Sequence, residues 1–408
     1  MLNWSERFSI LLLLDSNSYA DRYSKYEYLL AAGAEEIATA TDLACVKKMH
    51  DTHHDWLFGH IAYDYKNKLE RNLVSLHADN IGFEDLVFFR PQVVCYISTG
   101  STDLVIESIA DHPDEIFASI IASDDVFNKN PAITFTARTT KEKYLDTVER
   151  LRTHIKDGDC YEINYCNEYY AENIKVAPPD IFMALNKVSR APFAAYYKLN
   201  NKHLVCASPE RYLQKNGRTV TSQPIKGTAA RGINEAEDEV AKTSLLKSIK
   251  ERAENVMITD LVRNDLARSC ITGSVTVEEL FGIYTFPQVH QMITTISGRI
   301  DEARHFTDAI KFSFPMGSMT GAPKIKVMQL IEHYEDARRG LFSGTVGYIS
   351  PDGDFDFNVV IRSLFYNEAR QYLSFFAGGA ITYDSDPNAE WEEMRLKGMA
   401  MEKLFSVE

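Results

Sequence analysis

Residues 343–377 contain three β-like runs, SGTVGYIS, FDFNVVIRSLF and QYLSFFA, joined by the turn sequences PDGD and NEAR. Turns this short leave no room for the crossover that parallel neighbours need, so consecutive strands here must pair antiparallel. An earlier pair of runs, ASPERYLQK and RTVTSQP, flanks Asn216-Gly217. Both residues of such a pair tolerate positive φ, which predicts a tight hairpin with Lys226 at the far end of its second strand. The first 130 residues alternate apolar runs (LLLLD, DWLFGHIAYDY, DLVFFRPQVVCYIST) with polar turns and read as mainly strands. Residues 131–408 form a second region. It opens on a helix in which Thr139 and Glu142 suit a capping box and Tyr144, Val148, Leu151 and Ile155 recur at helical spacing. Residues 235–268 read as one helix with Leu245, Leu246, Ile249, Ala253, Val256 and Met257 on its apolar side, and a last helix covers about 387–404. Meanders interleaved with helices, without βαβ alternation, predict an α+β fold.

The charge balance narrows the partners. Lys and Arg total 44 against 58 Asp and Glu, a net charge of −14, and no basic cluster offsets it. Nucleic acid is therefore not an expected partner, and an anionic substrate would need a local positive site. The six cysteines show no Cys-x-x-Cys spacing, which suits reduced thiols in a cytoplasmic protein. The apolar run Ile10–Leu14 is too short for a signal-peptide core or a membrane span.

Several residues stand out chemically. Glu251 and Glu254 lie three apart, as do Glu390 and Glu393, so each pair projects from one helix face. Such pairs are either solvated faces or, if the helices face each other, a site for a hard cation such as Mg²⁺. The stretch FPMGSMTGAPK sets a Gly-rich loop against Pro323, expected in a first helical turn that serves as a structural cap or as an anion site. Arg362 lies in an apolar strand and either faces solvent or clamps a carboxylate. Gly378-Gly379 is expected to end the next strand, where a ligand would approach the backbone. His290 lies among apolar residues, as a satisfied core histidine would. Lys226, in TSQPIKGTAARG, occupies a glycine-flanked corner that a surface turn would also explain.

Taken together and in order, PIKGTAARG, ERAENVMITDLVRNDLARSC, FPQVHQM, PMGSMTGAPK, SGTVGYIS, VVIRS and AGGAITYDSDPNAEWEEMRLKG closely resemble the chorismate-binding enzymes. The likeness is dense over about 138–404 and thinner upstream. It implies an antiparallel β-sandwich core flanked by helices, completed by region 1–130, with the site in a central cleft. It implies Mg²⁺ held by Glu254 and Glu393, with Glu251 and Glu390 as near neighbours. Ser318, Arg362, Gly378, Gly379 and Lys397 match positions that hold the substrate's carboxylates, with Gly227 and Thr228 beside them. Glu210 matches the acid at the C4 hydroxyl, and His290 the family's site histidine.

Within that family, PIKGT is similar to the aminodeoxychorismate synthases, in which the lysine is the nucleophile; anthranilate synthases resemble PIAGT. The resemblance therefore implies amination of chorismate at C4 through Lys226, with its pKa lowered by burial near Mg²⁺. Ammonia would come from a separate glutamine amidotransferase subunit, for which a chain of this length leaves no room. Isochorismate and salicylate synthases need a lysine base in the strand that here reads GDCYEINYC, and none is present. Glu162 aligns with that lysine, where amide-transferring members usually carry Gln, and no role follows for it from sequence. LLLLDS only partly resembles a tryptophan-binding segment, so feedback inhibition by tryptophan is not expected. Two rival readings stay open: anthranilate synthase component I, and a chorismate-binding module without turnover.

Overall fold

The computed structural model describes residues 1–19, 21–38, 42–123 and 128–406. Among them nineteen strands form, and every pairing between them is antiparallel. The first region supplies β1 (Ile10–Asp15), β2 (Tyr26–Ala38), β3 (Leu57–Ile61), β4 (Leu86–Ser98) and β5 (Leu104–Ser108). The next strands are β6 (Thr136–Ala137), β7 (Glu162–Ala171), β8 (Phe193–Leu199), β9 (Lys202–Ser208), β10 (Arg211–Asn216) and β11 (Thr219–Gln223). They are followed by β12 (Ile225–Ala230), β13 (Thr276–Thr285), β14 (Val289–Arg299) and β15 (Gly321–Ala322). The last are β16 (Thr345–Ile349), β17 (Phe355–Asn358), β18 (Ser363–Asn367) and β19 (Tyr372–Ile381).

The pairings trace one ladder. From β14, which lies against β12 and β13, it runs through β11, β10, β17, β16, β3, β4, β2 and β1. From β1 it continues through β8, β9, β18 and β19 to β7. The N-terminal strands thus sit in the middle of the ladder and join its two halves. The ladder doubles back, because Lys226 on β12 at one end meets Glu162 on β7 at the other, Nζ to Oε1 2.5 Å. Apolar side chains fill two clusters, one around Trp56, Phe58, Phe88 and Phe357 and one around Tyr144, Tyr165, Tyr169 and Phe375. All five residues of β3 and of β16 are buried, as strands covered on both faces require.

Several expectations shift in detail. The Lys141–Lys156 helix is capped by Thr140, whose hydroxyl accepts from the Lys143 amide, and not by Thr139. Thr139 is drawn inward instead, donating to Asp336. The hairpin turn is Gly217-Arg218, one residue later than the Asn-Gly pair suggests, with Asn216 opposite Thr219. Lys226 does not end that hairpin; Pro224 interrupts the backbone donors and Lys226 belongs to the next strand, β12. The run FDFNVVIRSLF splits into β17 and β18, and Arg362 stands in the break with φ 51° rather than in a strand. Gly378 and Gly379 lie inside β19, not at its end. Pro323 is the N-cap residue of the Lys324–Tyr334 helix, not part of its first turn.

The largest difference concerns 235–268. Ser248 divides it into Glu235–Lys247 and Ile249–Ala267. In the second helix the buried face is Glu254, Asn255, Ile258, Thr259, Val262, Asp265 and Leu266, whereas Leu246, Ile249 and Val256 are exposed. That buried set still has a 3–4 spacing, but its first turns are polar because they face other polar groups. Asn255 Oδ1 accepts the Thr294 hydroxyl at 2.6 Å.

Candidate active site

The corner Lys226-Gly227 is built by a register slip. Between Ile225 and Thr228 the pairing of β12 with β14 is irregular, and Gly227 takes φ 98°. A Cβ at Gly227 would stand 3.0 Å from Glu251 Oε2, so glycine serves both the left-handed backbone and the approach of the Ile249–Ala267 helix. The slip turns Lys226 inward, where it is buried, while Thr228 is exposed. Around its ammonium stand Glu162, Glu254 and Glu210. Burial alone would lower the Lys226 pKa, but the ion pair and hydrogen bond to Glu162, with the other two carboxylates, hold it above the ordinary value. In the protein alone these carboxylates outweigh desolvation; the lowered lysine expected from sequence was one lying beside Mg²⁺.

Glu210 lies between β9 and β10. Its amide donates to Ser208 Oγ at 3.2 Å, and its carbonyl accepts from Val359 N at 3.0 Å. Burial pushes its carboxyl up to about 7, against the opposing pull of Ser318, Lys226, the Ile225 backbone and Arg362. The Ser318 hydroxyl is buried and otherwise unpartnered. The Arg362 guanidinium forms no ion pair within 4 Å among the described residues, and its pKa is lowered by burial with only Glu210 opposing. An unneutralised, partly desolvated guanidinium beside an acid with a pKa near 7 is a ready site for a carboxylate-bearing substrate.

On the far side, the Ile249–Ala267 helix presents Glu251 and Glu254 toward Glu390 and Glu393 on the Pro387–Glu402 helix. Lys250 Nζ stands between them, 3.9 Å from Glu254 and 4.0 Å from Glu390. Glu254 is pushed up to about 7, by burial first and with Glu162 and Glu251 as like charges, and its Oε1 is buried without a hydrogen-bond partner. Glu251 and Glu390 are raised too, by burial and by Glu393 among their like charges. Among the described residues no three His, Cys, Asp or Glu side chains already converge closely enough to hold one ion. The donor set nevertheless fits a hard divalent cation: oxygen donors, mutual repulsion and an orphaned carboxylate oxygen, with an ammonium now standing where positive charge is called for.

The remaining residues divide. Lys397 Nζ donates to the Gly378 carbonyl at 3.0 Å and pairs with Glu393 at 2.8 Å. A Cβ on Gly379 would face Glu390 and Lys397, whereas one on Gly378 would meet the Tyr165 carbonyl at 2.4 Å. The first glycine therefore keeps β19 close to β7, and only the second opens onto the carboxylates. Gly321 likewise lies flush on β7, where a Cβ would meet the Glu162 carbonyl at 2.1 Å. His290 is fully buried on β14 and is not brought to Lys226; its Nε2 is 2.8 Å from Asp238 and its Nδ1 3.0 Å from the Thr285 hydroxyl. Two participants escaped the sequence reading. Glu162 was visible only as a departure from its relatives, and nothing in the sequence singled out Lys250.

The sequence profile of the chorismate binding enzymes matches residues 12–403. The chain belongs to that family. Among curated chorismate-binding relatives, aminodeoxychorismate synthase component 1 of Escherichia coli is 37% identical over 254 residues. The match covers 62% of this chain and 55% of the relative, so the chain spans about half the length of that protein. Anthranilate synthase component 1 of Thermus thermophilus is 34% identical over 359 residues, 86% of this chain and 77% of the relative. The crystal structure of anthranilate synthase component I from Streptococcus pneumoniae superimposes with a TM-score of 0.77 at 26% identity, covering 85% of this chain and 80% of that one. The α+β architecture of an antiparallel sheet with flanking helices is therefore that of the family. Among the described residues no helix is long and apolar enough to cross a membrane.

Proposed function

We propose that the chain aminates chorismate at C4, giving 4-amino-4-deoxychorismate and water, with ammonia delivered by a separate glutamine amidotransferase. The observation that carries this reading is the buried Lys226 ammonium, ringed by Glu162, Glu210 and Glu254 in place of the alanine of a PIAGT sequence. Arg362, Ser318 and Lys397 would hold the substrate's carboxylates. The Lys226 amine would add at C2 while the C4–O bond breaks and the ring double bonds shift. Glu210, with its carboxyl near 7, would give the departing hydroxyl its proton so that it leaves as water. Ammonia would then add at C4 as the C2–N bond breaks and Lys226 is released, two displacements that retain configuration.

Glu254 and Glu393, with Glu251 and Glu390 alongside, would hold Mg²⁺. When bound, the ion supplies positive charge that offsets the substrate's carboxylate and these four glutamates. A second reading, anthranilate synthase component I, is favoured by the long match to the Thermus protein and speaks for amination at C2 with loss of pyruvate. Incubation with chorismate, Mg²⁺ and ammonium, followed by product identification, separates the two. The 4-amino product supports the first reading, anthranilate the second, and no conversion the idea of a binding module.

A further inference from the structure

The contact between Lys226 and Glu162 joins the two ends of the sheet, and neither residue has another hydrogen-bonded side chain among the described residues. Glu162 is 1% exposed, its Oε1 lies 2.5 Å from Nζ, and its Oε2 is buried with no partner. Its backbone is clamped by β15, where Ala322 pairs with Glu162 and Gly321 approaches so closely that no side chain fits. A carboxylate buried and immobilised this thoroughly costs several kcal/mol to desolvate unless its partner and geometry compensate. A surface-type contact would not justify it.

We propose that Glu162 is the positioning residue of the nucleophile: it holds Nζ of Lys226 in the cleft and takes up the proton that the ammonium must lose before it attacks. This rests on the reading of Lys226 as the nucleophile. The proton passes from Nζ to Oε1, leaving a neutral amine and a neutral carboxylic acid. The amine lone pair forms the N–C2 bond, and the C4 oxygen leaves with the proton of Glu210 as water. When ammonia's lone pair forms the new bond at C4, the C2–N pair returns to Lys226, which recovers its proton from Glu162. The proton shed by the new C4 ammonium restores Glu210. Because the exchange is internal to the pair, the amine is produced without a proton leaving for solvent. The other charges facing Lys226 are Glu210 from the β9–β10 turn, Glu254 and Glu251 from the Ile249–Ala267 helix, and Glu393 from the last helix. None of these is hydrogen-bonded to Nζ; Glu162 is.

The test follows formation of the Lys226 adduct by quenched mass spectrometry, with chorismate and Mg²⁺ but no ammonia, from pH 6 to 9. Glu162→Gln removes the internal acceptor, so the amine must lose its proton to solvent. Its adduct rate is expected to fall at least tenfold at pH 6.5 and to rise about tenfold per pH unit, a limb absent from the wild-type profile. Superimposable profiles for the two proteins overturn the role of Glu162 and leave Lys226 as nucleophile. Absence of any adduct in the wild type overturns both. Should Glu162→Gln melt too early to assay, Glu162→Asp carries the comparison, since it draws the carboxylate back by one methylene. A rate at least tenfold lower with unchanged chorismate binding supports the proposal, and a wild-type rate overturns it.

Discussion

Glu210 is the side chain whose chemistry its surroundings alter in the direction that the proposed reaction needs. Its folded-state pKa of about 7 exceeds that of an unfolded glutamate, so the folded protein binds the extra proton between those two values. Stability is therefore lost as pH rises through that window and the full penalty persists above it. Glu210→Gln, which cannot ionise, should gain stability relative to the wild type between pH 5 and pH 8 by up to about 3 kcal/mol, measured by paired denaturant melts. The same variant should lose turnover, which separates the acid's role from its effect on stability. Arg362 is the matching case of opposite charge. Arg362→Ala should lower kcat/KM by roughly 1.5–3 kcal/mol if the guanidinium bonds a substrate carboxylate. Steady-state kinetics with an unchanged kcat/KM would show that it does not reach the substrate.

Between elements, Ser248 does the most with the least. It ends one helix and caps the next, its hydroxyl accepting from the Glu251 amide at 3.3 Å. That cap sets the start of the helix carrying Glu251 and Glu254. Ser248→Ala should cost about 1 kcal/mol of stability in urea melts, and should disturb metal affinity more than substrate affinity. The periodicity of 235–268 was legible as helix, but its buried face was not. Hydrophobicity pointed to Leu246, Ile249 and Val256, whereas the buried first turns carry Glu254 and Asn255 because they face other polar groups. Similarly, the β17–β18 run looks continuous in apolar character. Only the φ of 51° at Arg362 reveals a break that turns the guanidinium toward Glu210.

The whole molecule is one antiparallel ladder folded back until its ends meet. Two helices packed over that junction bring four glutamates toward each other, and if they hold Mg²⁺ as proposed, stability should depend on the ion. Mg²⁺ should raise the Tm of the wild type in a concentration-dependent way, and should do so far less in Glu254→Gln or Glu393→Gln, as differential scanning fluorimetry would report. Chelation should abolish turnover, and the two variants should need much more Mg²⁺ for activity. Full activity in excess chelator would remove the ion from the mechanism.

By itself the sequence determined the antiparallel class, because short turns admit no crossover, and the family, because seven motifs stand in order. The two glutamate pairs and Arg362 are legible as residue types in their pattern, whereas Glu210 and the role of Lys226 follow only from the resemblance. Which of these groups meet was a tertiary decision. Lys226 and Glu162 are 64 positions apart and on opposite ends of the ladder, so only its closure could make them partners. The same closure raised the pKa of Lys226, since local sequence does not reveal how many carboxylates a buried ammonium will face. Desolvation alone predicts a lowered lysine; three glutamates brought in from β7, the β9–β10 turn and a helix raise it instead.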